Sequence, residues 1–185
     1  MYRIFAVLVA LGLLGACSGR GSVRTDDVTV YQGPMVISFA MDSPWDGVTI
    51  PPEQTCMAED IIPSTPELVV ENIHGAANLI LLEINDSNEP LLSSRGGLGV
   101  IGFYHDGSPT AVLKPVSAFT RNMPDHAFLE AGNRSVNRDI EGYMPPCSGG
   151  RNHLFTARIW AVKRDVNRVE PDIILDMREI ELGRN

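Results

Sequence analysis

The chain has 185 residues, of which 44% are hydrophobic and 21% charged, and a formal net charge of −8. That length accommodates one ordinary domain with a full core, and the acidity argues against nucleic acid as a partner. Seventeen glycines and 13 prolines favour many short elements joined by turns over a helical bundle, so a β-rich fold is expected.

Met1-Tyr2-Arg3 supplies one positive charge ahead of the apolar run Ile4–Ala16. At about 13 residues the run is shorter than the roughly 20 needed to span a bilayer, and it reads as a signal peptide. It ends Leu14-Gly15-Ala16-Cys17, which resembles the lipobox of bacterial lipoproteins, where the cysteine is lipidated and becomes the first mature residue. A plain secretory signal and a short anchor are the alternatives. Residues 1–16 are thus expected to be a lipoprotein signal peptide, 17–27 a tether that includes the small polar stretch Ser18–Ser22, and 28–185 a single domain. A palmitate-type acyl group on Cys17 supplies bilayer affinity that the run alone lacks. Ser18 after the cysteine resembles the sorting pattern of outer-membrane rather than inner-membrane lipoproteins, so the expected place is the bacterial cell envelope, at the outer membrane and facing the periplasm. Loss of Arg3 with residues 1–16 takes the net charge from −8 to −9. Cys56 and Cys147 then remain in a compartment where disulfides persist. A bridge between them is expected, against the alternative of two separately buried thiols. Metal-type cysteine spacing is absent, so neither a metal nor a cofactor is expected.

Val28–Tyr31 and Met35–Phe39 are β-branched and aromatic, broken by Gly33-Pro34, and read as two strands or one broken strand. The turn-rich stretch Ser43–Pro52 contains Trp45, which should be buried in an ordered loop. Glu67–Asn72 and Asn78–Asn85 read as strands; the second is almost continuously apolar and predicts a central strand buried on both faces. Leu98–Tyr104 is a further strand, in which Gly99 and Gly102 suggest bulges or close packing. Residues 106–142 predict a long, loosely regular connection with a short strand at Ala111–Val116 and a helical turn at His126–Ala131. Leu154–Arg164 reads as the last long strand, Asp172–Met177 as a short helix and Glu179–Leu182 as a closing edge strand. Gly142–His153 is a turn set by Pro145 and Pro146, with Gly149 and Gly150 able to open backbone N–H groups toward an anion.

Three stretches resemble the phosphatidylethanolamine-binding protein family, in particular its bacterial Raf-kinase-inhibitor-like branch. Asp46-Gly47-Val48-Thr49-Ile50-Pro51, followed by Gln54-Thr55-Cys56, is similar to the family's opening motif. Asp86-Ser87-Asn88-Glu89-Pro90 is similar to its D-P-D-A-P, and Tyr143–Val162 to its Y-x-G-P-C-P-P-x-G-x-H-R-Y-x-F-T-V-Y-A-L. Ile180–Gly183 resembles the closing strand. The resemblance implies a mainly β fold of two antiparallel sheets in a Greek-key sandwich with a few short helices, and a small anion pocket at one end. It places Asp86 and His153 on pocket positions and Gly149 and Gly150 near a pocket loop. Two positions depart from it. The family's histidine-tryptophan pair falls near Gly99-Val100, and its pocket tyrosine is Phe155, which has no hydroxyl donor. His105 cannot substitute, being about 20 Å along a strand from position 99.

These residues suggest a binding protein rather than an enzyme. His153 can bond or charge-pair with an anion, with Asp86 setting its tautomer, and Arg151 can act as a phosphate ligand. The plainer readings are a structural histidine, an aspartate capping a turn, and a solvated loop arginine. His74, His105 and His126 fall on turns and read as surface or capping residues. No G-x-S-x-G and no H-E-x-x-H supports hydrolase chemistry, and Asn133-Arg134-Ser135 matches a glycosylation acceptor only formally. The expected partners are the membrane, through lipidated Cys17, and a phosphate-bearing small molecule or headgroup. The alternative is a protein partner held by an interaction or inhibitor module without a working pocket.

Overall fold

The structure, a computed structural model, describes residues 33–136 and 140–185. The expected signal peptide, Cys17, the tether and the Val28–Tyr31 strand lie outside these residues. Among the described residues there are eight strands: β1 (Val36–Phe39), β2 (Leu68–Glu71), β3 (Leu79–Asp86), β4 (Gly99–Tyr104), β5 (Thr110–Leu113), β6 (Ala127–Ala131), β7 (Leu154–Lys163) and β8 (Ile173–Arg184). All pairings between them are antiparallel, in a three-stranded sheet ordered β1-β2-β5 and a five-stranded sheet ordered β6-β4-β3-β7-β8. After β4 and β6 are laid down on one side of β3, the chain returns to place β7 on the other side, which is the Greek-key step.

The near-continuous apolar run of β3 puts it at the centre of the larger sheet, as its sequence predicts. Its alternate residues Ile80, Leu82 and Ile84 face the core, opposite Ala161, Ile159 and Ala157 of β7. Leu68, Val70 and Leu113 of the smaller sheet close the core from the other side, and Trp45 is buried among them. The glycines of β4 serve close packing. An added Cβ at Gly102 would lie 2.3 Å from the Phe128 ring, so Phe128 lies across that gap on the outer face. Between Val100 and Ile101 the β4–β6 register shifts.

Three sequence expectations are corrected. His126–Ala131 is not a helical turn but contains β6, because Phe128 and Leu129 complete the β4 ladder. Asp172–Met177 is not a helix: Ile173, Ile174 and Leu175 begin β8, which runs unbroken into the expected closing strand and makes β8, not β7, the last long strand. In place of a few short helices, the described residues hold one 3-10 turn, Pro52–Gln54. A tertiary partner decided both strands, since neither segment alternates strongly enough to declare itself.

Beyond the end of β7, Arg164 joins three elements. Its guanidinium grips Glu130 of β6 through two bonds of 2.8 and 2.9 Å and bonds Asp172 at 2.6 to 3.0 Å. The hydrogen bond from Arg164, and then its charge, hold the Asp172 carboxyl below its ordinary value. A carboxyl depressed on folding stabilises the protein above its unfolded value of about 3.9, and that stability is lost as pH falls through and below it. Arg164→Ala should therefore lower unfolding free energy by about 1 kcal/mol at pH 7, the partly exposed pair being screened by solvent. Urea denaturation should show the difference from the parent shrinking below about pH 4.

Candidate functional site

Asp86 is the last residue of β3 and keeps the inward parity of Ile80, Leu82 and Ile84, so its carboxylate points to the core face at one end of the sandwich. Phe155 of β7 is its cross-strand partner, and His153 precedes Phe155 by two residues, on the same face. The two side chains meet: His153 Nδ1 lies 2.7 Å from Asp86 Oδ2, with Asp86 3% and His153 9% exposed. The other carboxylate oxygen, Oδ1, accepts the N–H of Asn88 at 3.0 Å. Asp86 therefore caps a turn and pairs with the histidine at once.

Backbone stitching sets this geometry. Asn88 Oδ1 accepts the N–H of Leu154, and the Ser87 N–H donates to the Leu154 carbonyl, fixing the start of β7 against the turn after β3. His153 and Asn185 exchange backbone hydrogen bonds, tying the same point to the end of β8. The loop before His153 is held from further sides. Met144 N–H bonds the Leu98 carbonyl, Cys56 N–H bonds the Pro146 carbonyl, and Cys56 and Cys147 form the disulfide. Ser148 Oγ lies 2.5 Å from the Asn185 carbonyl and receives the Gly150 N–H at 3.1 Å.

A cavity of about 230 Å³ opens beside this pair, lined by Asp86, Glu89, Leu92, Arg134, Cys147 and Arg151 among others. Asp86 and Arg151 are thus brought together at the cavity. His153 is not among the lining residues; it stands behind Asp86. Gly149 and Gly150 adopt left-handed φ of 63° and 78°, which explains the glycines, but they do not line the cavity either. The Gly150 N–H is engaged within its own loop. Arg151 Nε donates to the Ser148 carbonyl at 2.7 Å, which orients its guanidinium.

Arg134 also lines the cavity, and nothing in the sequence singled it out as a ligand. Its position follows from Asn85, the outward neighbour of Asp86. Asn85 Oδ1 holds the Gly97 N–H at 3.1 Å, the Gly97 carbonyl holds the Arg134 N–H at 2.8 Å, and the Arg134 guanidinium donates to the Ser94 carbonyl. The signal was tertiary, and Arg134 in an unpatterned loop carried no local trace of it.

The two departures at positions 99 and 155 have structural causes. At Gly99 φ is 137°, and an added Cβ would lie 3.2 Å from the Tyr143 Cα, so the backbone of Tyr143 occupies the place a side chain would need. Phe155 is fully buried as part of the core. Tyr143 is buried as well, its hydroxyl has no hydrogen-bond partner among the described residues, and burial pushes its titration upward. Among the described residues no three His, Cys, Asp or Glu side chains gather as a metal site, and no helix is long and apolar enough to cross a membrane.

Asp86→Ala leaves a buried imidazole without its partner and removes the turn cap. A loss of about 1–3 kcal/mol is expected in urea denaturation, against a smaller loss for Asp86→Asn, whose amide oxygen can still accept the Asn88 N–H while its NH2 faces His153 Nδ1, which must then be the unprotonated nitrogen.

No protein-family profile matches the chain, and neither does any curated protein. Among solved structures the chain is similar to a crystal structure assigned as a homologue of phosphatidylethanolamine-binding protein, from Chlamydia trachomatis. The two are 14% identical, with a TM-score of 0.48 over 82% of this chain and 97% of that one. The fold assignment itself rests on the strand pairing: a mainly β sandwich of two antiparallel sheets.

Proposed function

We propose that this chain is a non-enzymatic extracytoplasmic binding protein, anchored through lipidated Cys17, whose cavity takes a phosphate-like anion such as a phospholipid headgroup. One observation carries the reading. Arg134 and Arg151 line a cavity of about 230 Å³ whose buried carboxylate, Asp86, is already hydrogen-bonded to His153. Arginine presents paired N–H donors that match phosphate oxygens. Asp86 and Glu89, on the same wall, can accept from the ammonium or hydroxyl of a headgroup. The motif resemblance around Asp86 and Cys147–His153 supports the same reading.

A second reading is favoured by the closure at Gly99 and the burial of Phe155, which remove two of the donors the resemblance implies. On that reading the domain is a protein-interaction or inhibitor module and the cavity is empty in use.

Calorimetric titration of the domain from Asp26 onward with phosphate and phosphoethanolamine separates the two. Saturation at millimolar ligand is expected, weakened about tenfold or more by Arg134→Ala or Arg151→Ala, because a hydrogen bond to a charged group is worth roughly 1.5–3 kcal/mol. No saturation with either ligand would leave the interaction reading in possession. The anchor has its own test: Cys17→Ser should move the chain from the membrane fraction to the soluble fraction, and retention on the membrane would sink the lipidation.

A further inference from the structure

A second and larger cavity, of about 560 Å³, lies at the opposite end of β3 from Asp86, some 23 Å of strand away. It opens on the outer face of the five-stranded sheet, beneath the β7–β8 connection. Leu79, Tyr104 and Phe128 form its floor, and Asp165, Val166 and Arg168 overhang it. The floor is a fixed aromatic platform. Phe128 lies across the side-chain gap at Gly102, Tyr104 packs against it with ring centroids 5.2 Å apart, and Arg164 stacks 5.9 Å from the Phe128 centroid. Tyr104 is nonetheless 67% exposed, its ring offered to whatever enters.

The polar groups around this platform divide into spent and available. Arg164 is committed to Glu130 and Asp172, and Asn78 bonds the Arg164 backbone through both of its side-chain atoms. Among the described residues the Arg168 guanidinium makes no hydrogen bond, though its charge acts on the Asp172 carboxyl, and His105 bonds through Nε2 to the Ser108 carbonyl. Asp165 accepts the Val169 N–H, and that bond first, with further backbone N–H groups of the same turn, holds its carboxyl below the usual carboxylate range. Around the cavity stands an apolar ring face edged by one cationic donor, one imidazole, one phenol and one carboxylate.

We propose that this cavity is a saccharide-binding site, in which a pyranose ring lies on Tyr104 and its hydroxyls bond Asp165, Arg168 and His105. A sugar ring has an apolar C–H face to cover the aromatic floor and a rim of hydroxyls that both donate and accept. The other occupants match less of the lining. An aliphatic peptide side chain or acyl chain would strand the Arg168 and Asp165 charges. A simple anion would meet the Asp165 carboxylate and find no use for the exposed ring. The site is independent of the proposed anion cavity and stands or falls apart from it.

Isothermal titration of the full chain with tri-N-acetylchitotriose, maltotriose and trileucine tests the assignment. At least one of the two oligosaccharides should saturate at millimolar concentration. Tyr104→Ala should weaken it tenfold or more, Arg168→Ala severalfold, and Tyr104→Phe little, since the ring is kept. Because Tyr104 and Arg168 are exposed, thermal melts should be unchanged, so weakened binding cannot be laid to unfolding. Saturation by trileucine alone, no saturation by either oligosaccharide, or unaltered binding by Tyr104→Ala would overturn the proposal.

Discussion

The two-residue alternation of β3 is the constraint from which the rest of this structure follows. A strand paired on both edges and packed on both faces has no freedom to rotate or slip, because a shift of one residue would turn Ile80, Leu82 and Ile84 out of the core. The same lock aims Asp86 inward at the open end of the sandwich and Asn85 outward. Asp86 meets His153, and Asn85 holds the turn that carries Arg134. One register thus fixes a buried carboxylate and, through two further hydrogen bonds, a cation lining the same cavity.

The loop that completes this wall contributes rigidity more than donors. Residues 143–153 are irregular, yet their backbone is bonded to segments near positions 56, 98, 119 and 185, and the Cys56–Cys147 disulfide closes 91 residues of chain. In a chain-entropy account a closure of that length restricts the unfolded ensemble by about 4.6 kcal/mol. That is a large share of the stability of an ordinary domain. The cavity wall is therefore among the most constrained loops of the fold, and Arg151 projects from a fixed base rather than from a mobile tip.

Much of this was legible in the sequence, and the reasons for success and failure are physical. The apolar run of β3, the buried Trp45, the cysteine pair and the Asp86–His153 approach all rest on residues whose chemistry declares itself locally or within a recognisable motif. β6 and the first half of β8 were misread because their strand character comes from the partners they pair with, as the fit of Phe128 over Gly102 illustrates. Arg134 was missed for the same reason one level up. Its role is conferred by a chain of bonds from Asn85 through Gly97, and no spacing in the sequence encodes it. At Gly149 and Gly150 the left-handed backbone serves the turn, a requirement that the glycines themselves announce.

The departures at positions 99 and 155 bear on what sort of anion site this can be. With Tyr143 packed against Gly99 and the Phe155 ring given over to the core, neither position supplies a donor, and the cations that line the cavity are Arg134 and Arg151. A buried neutral donor binds an anion through geometry, at short range and largely independent of salt. Arg134 and Arg151 sit nearer the mouth, where a charge acts over a longer range but is screened by water and ions within about 8 Å at physiological ionic strength. Moving the burden from buried donors to rim arginines trades selectivity for capture. The chain is otherwise strongly acidic, so those two cations offset the repulsion an approaching anion would meet at the cavity. The proposed site is therefore one that draws phosphate-bearing groups in and leaves the discrimination among them to Asp86 and Glu89, the carboxylates that an ammonium or hydroxyl would have to satisfy.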